Sequence, residues 1–269
     1  MLWKRLVSAG MALPLVLVLV HLGPTWAWAL FLAFCTAVAM YEYLAITMAS
    51  MPRGERSCFT ALGVAFFWGA LALGAQWLSL LVMAAFLLTF AIVLLRPGDL
   101  SQAFPRVAAL VTGFVYIPLL LSILARLHTL PLGREWIYVA FIVAWAGDTF
   151  AYFAGRAFGR HKLYPLISPG KTWEGALGGL AGSVGGVLVA RYTFFPELSV
   201  MDCFLVAVPG AILGQVGDLC ESLLKRGHGV KDSGGIMPGH GGLLDRIDAL
   251  LFLLPYILGY AVAVHPLML

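Results

Sequence analysis

The chain alternates between uninterrupted apolar runs and short polar connections. A helix that crosses the hydrocarbon core of a bilayer needs roughly 20 predominantly apolar residues. On that rule the pattern predicts about nine spans, at 6–22, 26–47, 59–75, 77–95, 107–127, 136–158, 175–192, 201–219 and 243–264. The runs are continuous rather than alternating, which disfavours a closed β-barrel. The expected fold class is therefore all-α, a polytopic helical membrane protein. Two closely spaced pairs, 6–22 with 26–47 and 59–75 with 77–95, read as tight hairpins.

Composition agrees with the pattern. Of the 269 residues 61% are hydrophobic and 11% charged, against about 25% charged in soluble domains. Mean hydropathy is +0.94. If the N-terminus is cytoplasmic, 14 of the 17 Lys and Arg residues fall on the cytoplasmic side, leaving Arg126, Arg134 and Arg191 opposite. That asymmetry predicts an N-in orientation and an odd number of spans. The connections after spans six and eight then lie on one cytoplasmic face. The first apolar run is long for a cleaved leader and the second span begins at once, so it reads as a retained span. Cys35, Cys58, Cys203 and Cys220 are scattered, supporting neither a disulfide framework nor a zinc site. The basic residues are used up by topology and by the polar stretches below, and no nucleic-acid partner is expected.

Polarity is unevenly distributed. Residues 1–135 offer little chemistry and read as scaffold; 136–269 read as the catalytic region. In the first half Glu42, between Tyr41 and Tyr43, is expected to snorkel to the interface. In the second half Asp148 lies near the middle of span six, where an aspartate costs roughly 2.5–3.5 kcal/mol on insertion scales. It should face a hydrated cavity or a helix partner. Gly147, Gly155 and Gly159 suit close helix approach. Gly170-Lys171-Thr172 resembles a Walker A end, but that motif needs glycine at the position of Pro165, so the reading fails. What remains is a helix opened by Ser168-Pro169, with Lys171, Thr172 and Glu174 in or near its first turn. Such a start suits a phosphate or is simply a capped helix end.

The stretch 218–248 departs most from its surroundings. It holds five of the thirteen acidic residues and seven glycines between Gly227 and Gly242. Asp218, Ser222 and Lys225 fall at i, i+4 and i+7, one stripe of a helix that Gly227 and Gly229 should end. Asp245 and Asp248 share a face at the start of span nine. Three carboxylates on two helix ends repel one another unless a cation lies between them. One or two carboxylates, waters and substrate phosphate oxygens suit Mg²⁺. Lys225, Arg226, Lys231 and Arg246 can hold further anionic oxygens, and glycine-rich backbone lets amides approach phosphate. His240 is either a phosphate donor or acid, or a structural turn residue.

At these residues the chain resembles the phosphatidate cytidylyltransferase, or CDP-diacylglycerol synthase, family. The signature stands here as Ser222, Lys225-Arg226, Lys231-Asp232, Pro238, His240-Gly241-Gly242, Asp245-Arg246 and Asp248. SPGKTWEG at 168–175 is similar to a second element of the family, with Gly170 in place of its first lysine. GDTFAYFAGRAFGRHK fits the preceding helix and loop. The resemblance covers roughly 140–250. It implies transfer of a cytidylyl group from CTP to phosphatidic acid, giving CDP-diacylglycerol and pyrophosphate. It also implies Mg²⁺, a homodimer in the bilayer and a site open to the cytoplasm, with a bacterial inner membrane suiting the chain's size. A second cation is left open.

On that basis Asp218 and Asp245 are expected to hold the metal, with Asp248 as ligand or support, and Asp148 to line the same cavity. Lys225, Arg226, Lys231 and Arg246 would neutralise CTP or pyrophosphate, while Ser168, Lys171, Thr172, Ser222 and His240 would contact substrate. Two other readings compete. A phosphotransferase that consumes a CDP-activated lipid would need a DGxxAR…GxxxDxxxD pattern, which is absent. A transporter using Asp148 and Asp218 as an ion relay predicts broken helices in both halves, whereas polarity is concentrated in one.

Overall fold

The computed structural model describes residues 13–96, 98–235 and 241–264. Nearly every described element is helical, and seven helices among these residues are long and apolar enough to cross a membrane. The protein is an all-α membrane protein with one small β-hairpin. The first expected span lies partly outside the described residues, and its described part, 13–21, is helical (α1). The chain divides into two compact units. One comprises residues up to Arg126 together with Asp232–Asp245; the other comprises Leu127–Lys231 and the residues from Arg246 onward.

The first unit contains α1 and then α2 (Thr25–Thr47), α3 (Arg53–Ala72), α4 (Leu78–Leu95) and α5 (Leu100–Phe114). A π-helical turn, Val115–Leu119, joins α5 to α6 (Leu120–Leu127). The turn contains Pro118, which has no N–H to give to the α-helical ladder and so favours a local change of hydrogen-bond spacing. Helix α5 starts seven residues before the expected span because Asp99 caps it, its Oδ1 accepting from Ser101 N at 2.9 Å. Helix α3 likewise starts at Arg53, ahead of the apolar run, and is not among the seven candidate spans. Arg106 of α5 pairs with Glu55 of α3 at 2.8 Å. Arg126 donates to the carbonyls of Ala70 and Leu73 at the end of α3, where its charge opposes the negative end of the helix dipole. The core is aromatic and aliphatic: Trp28, Met40, Tyr43, Phe67, Leu110 and Ile117 are fully buried. Two of its polar groups reach backbone carbonyls, Tyr43 donating to Ala109 O at 2.8 Å and Trp28 Nε1 to Leu124 O at 3.2 Å.

The second unit contains α7 (Gly133–Phe158), strands β1 (Lys162–Tyr164) and β2 (Ser168–Thr172), α8 (Trp173–Thr193), α9 (Val200–Gly227) and α10 (Leu244–Val264). Helices α7 and α8 approach closely through small residues. A Cβ on Gly178 would meet the Ala154 methyl at 2.2 Å, and one on Gly182 would meet Phe150 at 2.5 Å. Gly147 faces the Ser183 hydroxyl, which donates to Val143 O at 2.8 Å. This is the packing role expected of Gly147, and small residues of this kind are what lets membrane helices associate. At the far end, Asp202 closes a capping box with Ser199 and also accepts from Tyr260 OH at 2.6 Å. Trp136 packs edge-on to Phe195 with ring centroids 5.1 Å apart. All four cysteines are free.

One local expectation is corrected. Ser168-Pro169 does not open a helix: Ser168–Thr172 is a strand, paired antiparallel with Lys162–Tyr164. Helix α8 begins at Trp173, capped by the Thr172 hydroxyl, which accepts from Gly175 N at 3.1 Å. Lys171 therefore projects from a strand just ahead of the helix. Glu174 is in the first turn, and its carboxylate also reaches the segment ahead of the hairpin. It accepts from the backbone of Arg160 and His161 and from His161 Nδ1 at 2.6 Å. That tie secures the hairpin to α8.

Candidate active site

A cleft of about 460 Å³ opens within the second unit. Helix α7 contributes Asp148, Tyr152 and Arg156, the hairpin contributes Ser168 and Lys171, and the start of α8 contributes Thr172 and Gly175. Gln215 and Asp218 come from α9. Five residues singled out from sequence (Asp148, Ser168, Lys171, Thr172 and Asp218) thus line one cavity.

The ion pair at its centre joins two motifs that are distant in sequence. Lys171 Nζ lies 2.6 Å from Asp218 Oδ2. Ser222, one turn after Asp218, directs its hydroxyl to Asp218 Oδ1 at 3.4 Å. Asp148 is electrostatically coupled to Asp218 as a like charge and to Lys171 and Arg246 as opposite ones. Asp248 is buried and feels Asp218 and Asp148, with Lys225 opposing them. Three carboxylates in mutual repulsion, compensated by a few bases, form an environment that can hold a cation or exchange basic partners with an anionic ligand.

The rest of the 218–248 stretch resolves into two parts. Helix α9 runs on to Gly227, past the expected span end, and Gly229 follows with φ +72°. The extra turns persist because their charges pair along the helix. Glu221 is buried and bridges to Lys225 four residues on. Lys225 is thus engaged by its own helix, and Arg226 donates to Val230 O at 3.4 Å. Lys231 and Arg246 are exposed. His240 lies outside the described residues. In the first unit, Asp245 organises the loop that precedes it, its Oδ2 accepting from the backbone of Ser233 and Gly242, both at 2.9 Å.

Several site residues were not foreseen. Tyr152 and Arg156 follow Asp148 at i+4 and i+8, so the same stripe of α7 carries all three, and Arg156 donates to Tyr152 OH at 3.0 Å. Gln215 precedes Asp218 by three residues on α9 and donates to Ala176 O at 3.0 Å, tying α9 to α8 beside the cleft. Both spacings were readable as helix faces. Glu42 corrects an expectation outright. It is 5% exposed rather than snorkelling, because its carboxylate accepts from the backbone of Leu243 at 3.1 Å and Leu244 at 2.9 Å. A buried carboxylate satisfied by two amides has no need to reach water.

Comparison with known proteins identifies the family. The chain matches the cytidylyltransferase family over residues 3–264. A protein of Staphylococcus haemolyticus named phosphatidate cytidylyltransferase is 50% identical over 123 residues, 46% of this chain and 47% of the relative. Proteins of the same name from Staphylococcus epidermidis and Staphylococcus aureus are 47% identical over 123 residues, with the same coverage. The chain therefore spans about half the length of the curated relatives it matches. The family match itself extends far beyond that segment, through the helices of both units, and on it the chain belongs to the cytidylyltransferase family.

Proposed function

We propose that this chain is a phosphatidate cytidylyltransferase, converting CTP and phosphatidic acid to CDP-diacylglycerol and pyrophosphate. The observation that carries the reading is the Lys171–Asp218 pair. It brings the SPGKT strand and the first acid of the polar stretch 218–248 to one cleft, on a chain whose relatives bear that name. We further propose nine spans with the N-terminus and the cleft facing the cytoplasm, in a bacterial inner membrane, and a homodimer. The Lys and Arg asymmetry supports the orientation.

The chemistry asks little of a protein nucleophile. A phosphate monoester has its second pKa near 6, so the lipid phosphate is already an anion at neutral pH. One of its oxygens attacks the α-phosphorus of CTP, forming the new P–O–P link. The bond to the β-phosphate breaks, and the electron pair leaves on pyrophosphate. The protein's task is to overcome repulsion between the anions and to hold the departing charge. Lys171 suits the first role: on leaving Asp218 it can meet a substrate phosphate. The Thr172 hydroxyl, Ser168 and Ser222 would orient phosphate oxygens, and Arg156 adds a base on the α7 wall. Lys225, Arg226, Lys231 and Arg246 are assigned to CTP or pyrophosphate, and His240 to substrate.

The residues fit Mg²⁺. Asp218, Asp245 and Asp248 offer hard oxygens, and the coupling of Asp218 with Asp148 and Asp248 leaves negative charge to be balanced. Among the described residues no three acidic, His or Cys side chains form a closed metal cage. An ion held by one or two carboxylates and completed by substrate needs no such cage. Bound there, it would neutralise triphosphate oxygens and the leaving pyrophosphate. Membranes carrying the chain, incubated with labelled CTP and phosphatidic acid, should form labelled CDP-lipid only when Mg²⁺ is present. Failure to form it with both substrates supplied would overturn the proposal.

A further inference from the structure

The signature loop is anchored at a residue far from it in sequence. Residues 232–235 and 241–245 belong to the same compact unit as α2. The backbone N–H groups at the start of α10 have no partner within their own helix. Here Leu243 N donates to Glu42 Oε1, Leu244 N donates to Glu42 Oε2, and Asp245 N donates to Ser233 Oγ at 3.3 Å. The Ser233 hydroxyl in turn lies 3.4 Å from Glu42 Oε2. A negative carboxylate placed against the positive end of the helix adds a dipole interaction to the two hydrogen bonds.

Two glycines lie so close to this carboxylate that a side chain on either would have to displace it. A Cβ on Gly234 would sit 2.3 Å from Glu42 Oε1. One on Gly242 would sit 2.1 Å from Ser233 Oγ and 2.6 Å from Glu42 Oε2. Two glycines of the stretch are thus accounted for by Glu42 rather than by phosphate. Asp245 completes the arrangement from the other side by accepting from Ser233 N and Gly242 N.

We propose that Glu42 is a positioning residue for the reaction: through the Ser233 hydroxyl and the amides of Leu243 and Leu244 it fixes the first turn of α10, and with it Asp245. The inference rests on the proposed role of Asp245 as a metal ligand. Glu42 itself touches backbone and Ser233, so it is assigned no contact with substrate.

The test uses the full chain in detergent micelles with lipid substrate. Glu42→Gln keeps the volume but turns one acceptor oxygen into an N–H₂ group that faces an N–H. Misplacement on the ångström scale can cost up to about a hundred-fold in rate, so kcat should fall about ten- to a hundred-fold while KM for CTP changes much less. Hydrogen exchange at the amides of 243–245 should accelerate about tenfold or more, with exchange in α7 unchanged. Glu42→Asp, which retains the charge, should lie between wild type and Glu42→Gln. If Glu42→Gln does not fold, Ser233→Ala gives the same readouts with smaller expected changes.

Wild-type kcat together with unchanged exchange at 243–245 would overturn the inference. So would a loss of activity with those amides still protected. Full activity in Asp245→Asn would instead sink the metal-ligand reading, while the exchange measurement would still judge the Glu42 anchor by itself.

Discussion

Two aspartates of one polar stretch, Asp218 and Asp245, are neutralised in different ways. Asp218 is met by a lysine on a flexible stem, 2.6 Å away at the edge of a cleft. Asp245 is met by fixed backbone dipoles, the N–H groups of Ser233 and Gly242. A lysine can move to another anion when one arrives, leaving its carboxylate to a cation. Backbone amides in a loop cannot move without the loop. The contrast separates a charge held for exchange from a charge that builds structure, and the second kind recurs at Glu42 and Asp202. Glu42 accepts from Leu243 N and Leu244 N, and Asp202 from Ser199 N and Tyr260 OH, all neutral donors.

The strongest way to test this comparison is to remove the exchangeable charge. Asp218→Ala should reduce CDP-lipid formation by on the order of a hundred-fold or more, the range seen when a preorganised electrostatic group is lost. Stability should change little, because Asp218 is only half-buried and its partner Lys171 can reach solvent. Activity measured beside the thermal transition of the micellar protein separates the two effects. Near-wild-type turnover in Asp218→Ala would remove the centre of the proposed site.

Asp245→Asn probes the comparison at its weakest point. The asparagine carbonyl can still accept from both Ser233 N and Gly242 N, so a purely structural Asp245 would tolerate the change. A metal ligand would not, because the charge is gone. The expected result is a folded protein whose activity falls about ten- to a hundred-fold and needs more Mg²⁺ for half-maximal rate. Lys171→Met comes next. It leaves Asp218 without its lysine and removes a phosphate contact, and should cost about tenfold or more. Lys171→Arg should recover part of that loss, since the hairpin leaves room for a cation but was shaped around a point charge. A Lys171→Met protein with unchanged KM and kcat would mean that the pair merely ties the hairpin to α9.

Much of this architecture is written locally in the chain. Continuous apolar runs marked the helices, and Asp148, Asp218 and Lys171 stood out because charge inside or beside such runs needs a reason. Their convergence could be anticipated only from the expectation, drawn from the Lys and Arg asymmetry, that the two connections share a face. The hairpin escaped notice because strands of three and five residues are too short to show a period, and Ser168-Pro169 carries the same signal as a helix start. Helix α3 was read short because Arg53, Glu55 and Arg56 hide its first turn from a hydropathy rule. Glu42 was beyond local reading altogether. Its partners are 201 and 202 residues away, and nothing beside it in sequence announces them. Tyr152, Arg156 and Gln215 are legible as extensions of the helical stripes through Asp148 and Asp218, by two turns and one turn respectively.

The smallest predicted effect lies at the opposite end of α9. Tyr260 donates to Asp202 at 2.6 Å, and Asp202 is simultaneously the third residue of the capping box that opens α9. Sixteen residues separate Asp202 from Asp218, roughly 24 Å along the helix axis. Tyr260→Phe removes one hydrogen bond to a carboxylate that keeps its other donor, Ser199 N at 2.8 Å. The expected loss is about 1–2 kcal/mol of stability, seen as a lower thermal midpoint, with kcat and KM within about twofold of wild type. Asp202→Asn should likewise cost stability and spare turnover, because Tyr260 OH and Ser199 N bond different carboxylate oxygens and the amide keeps only one acceptor. That is the converse of what is expected at Asp245, where the same substitution should spare the fold and lose the chemistry. If Asp202→Asn instead lost activity and kept its thermal midpoint, carboxylates held by neutral donors could not be sorted by role from their partners alone.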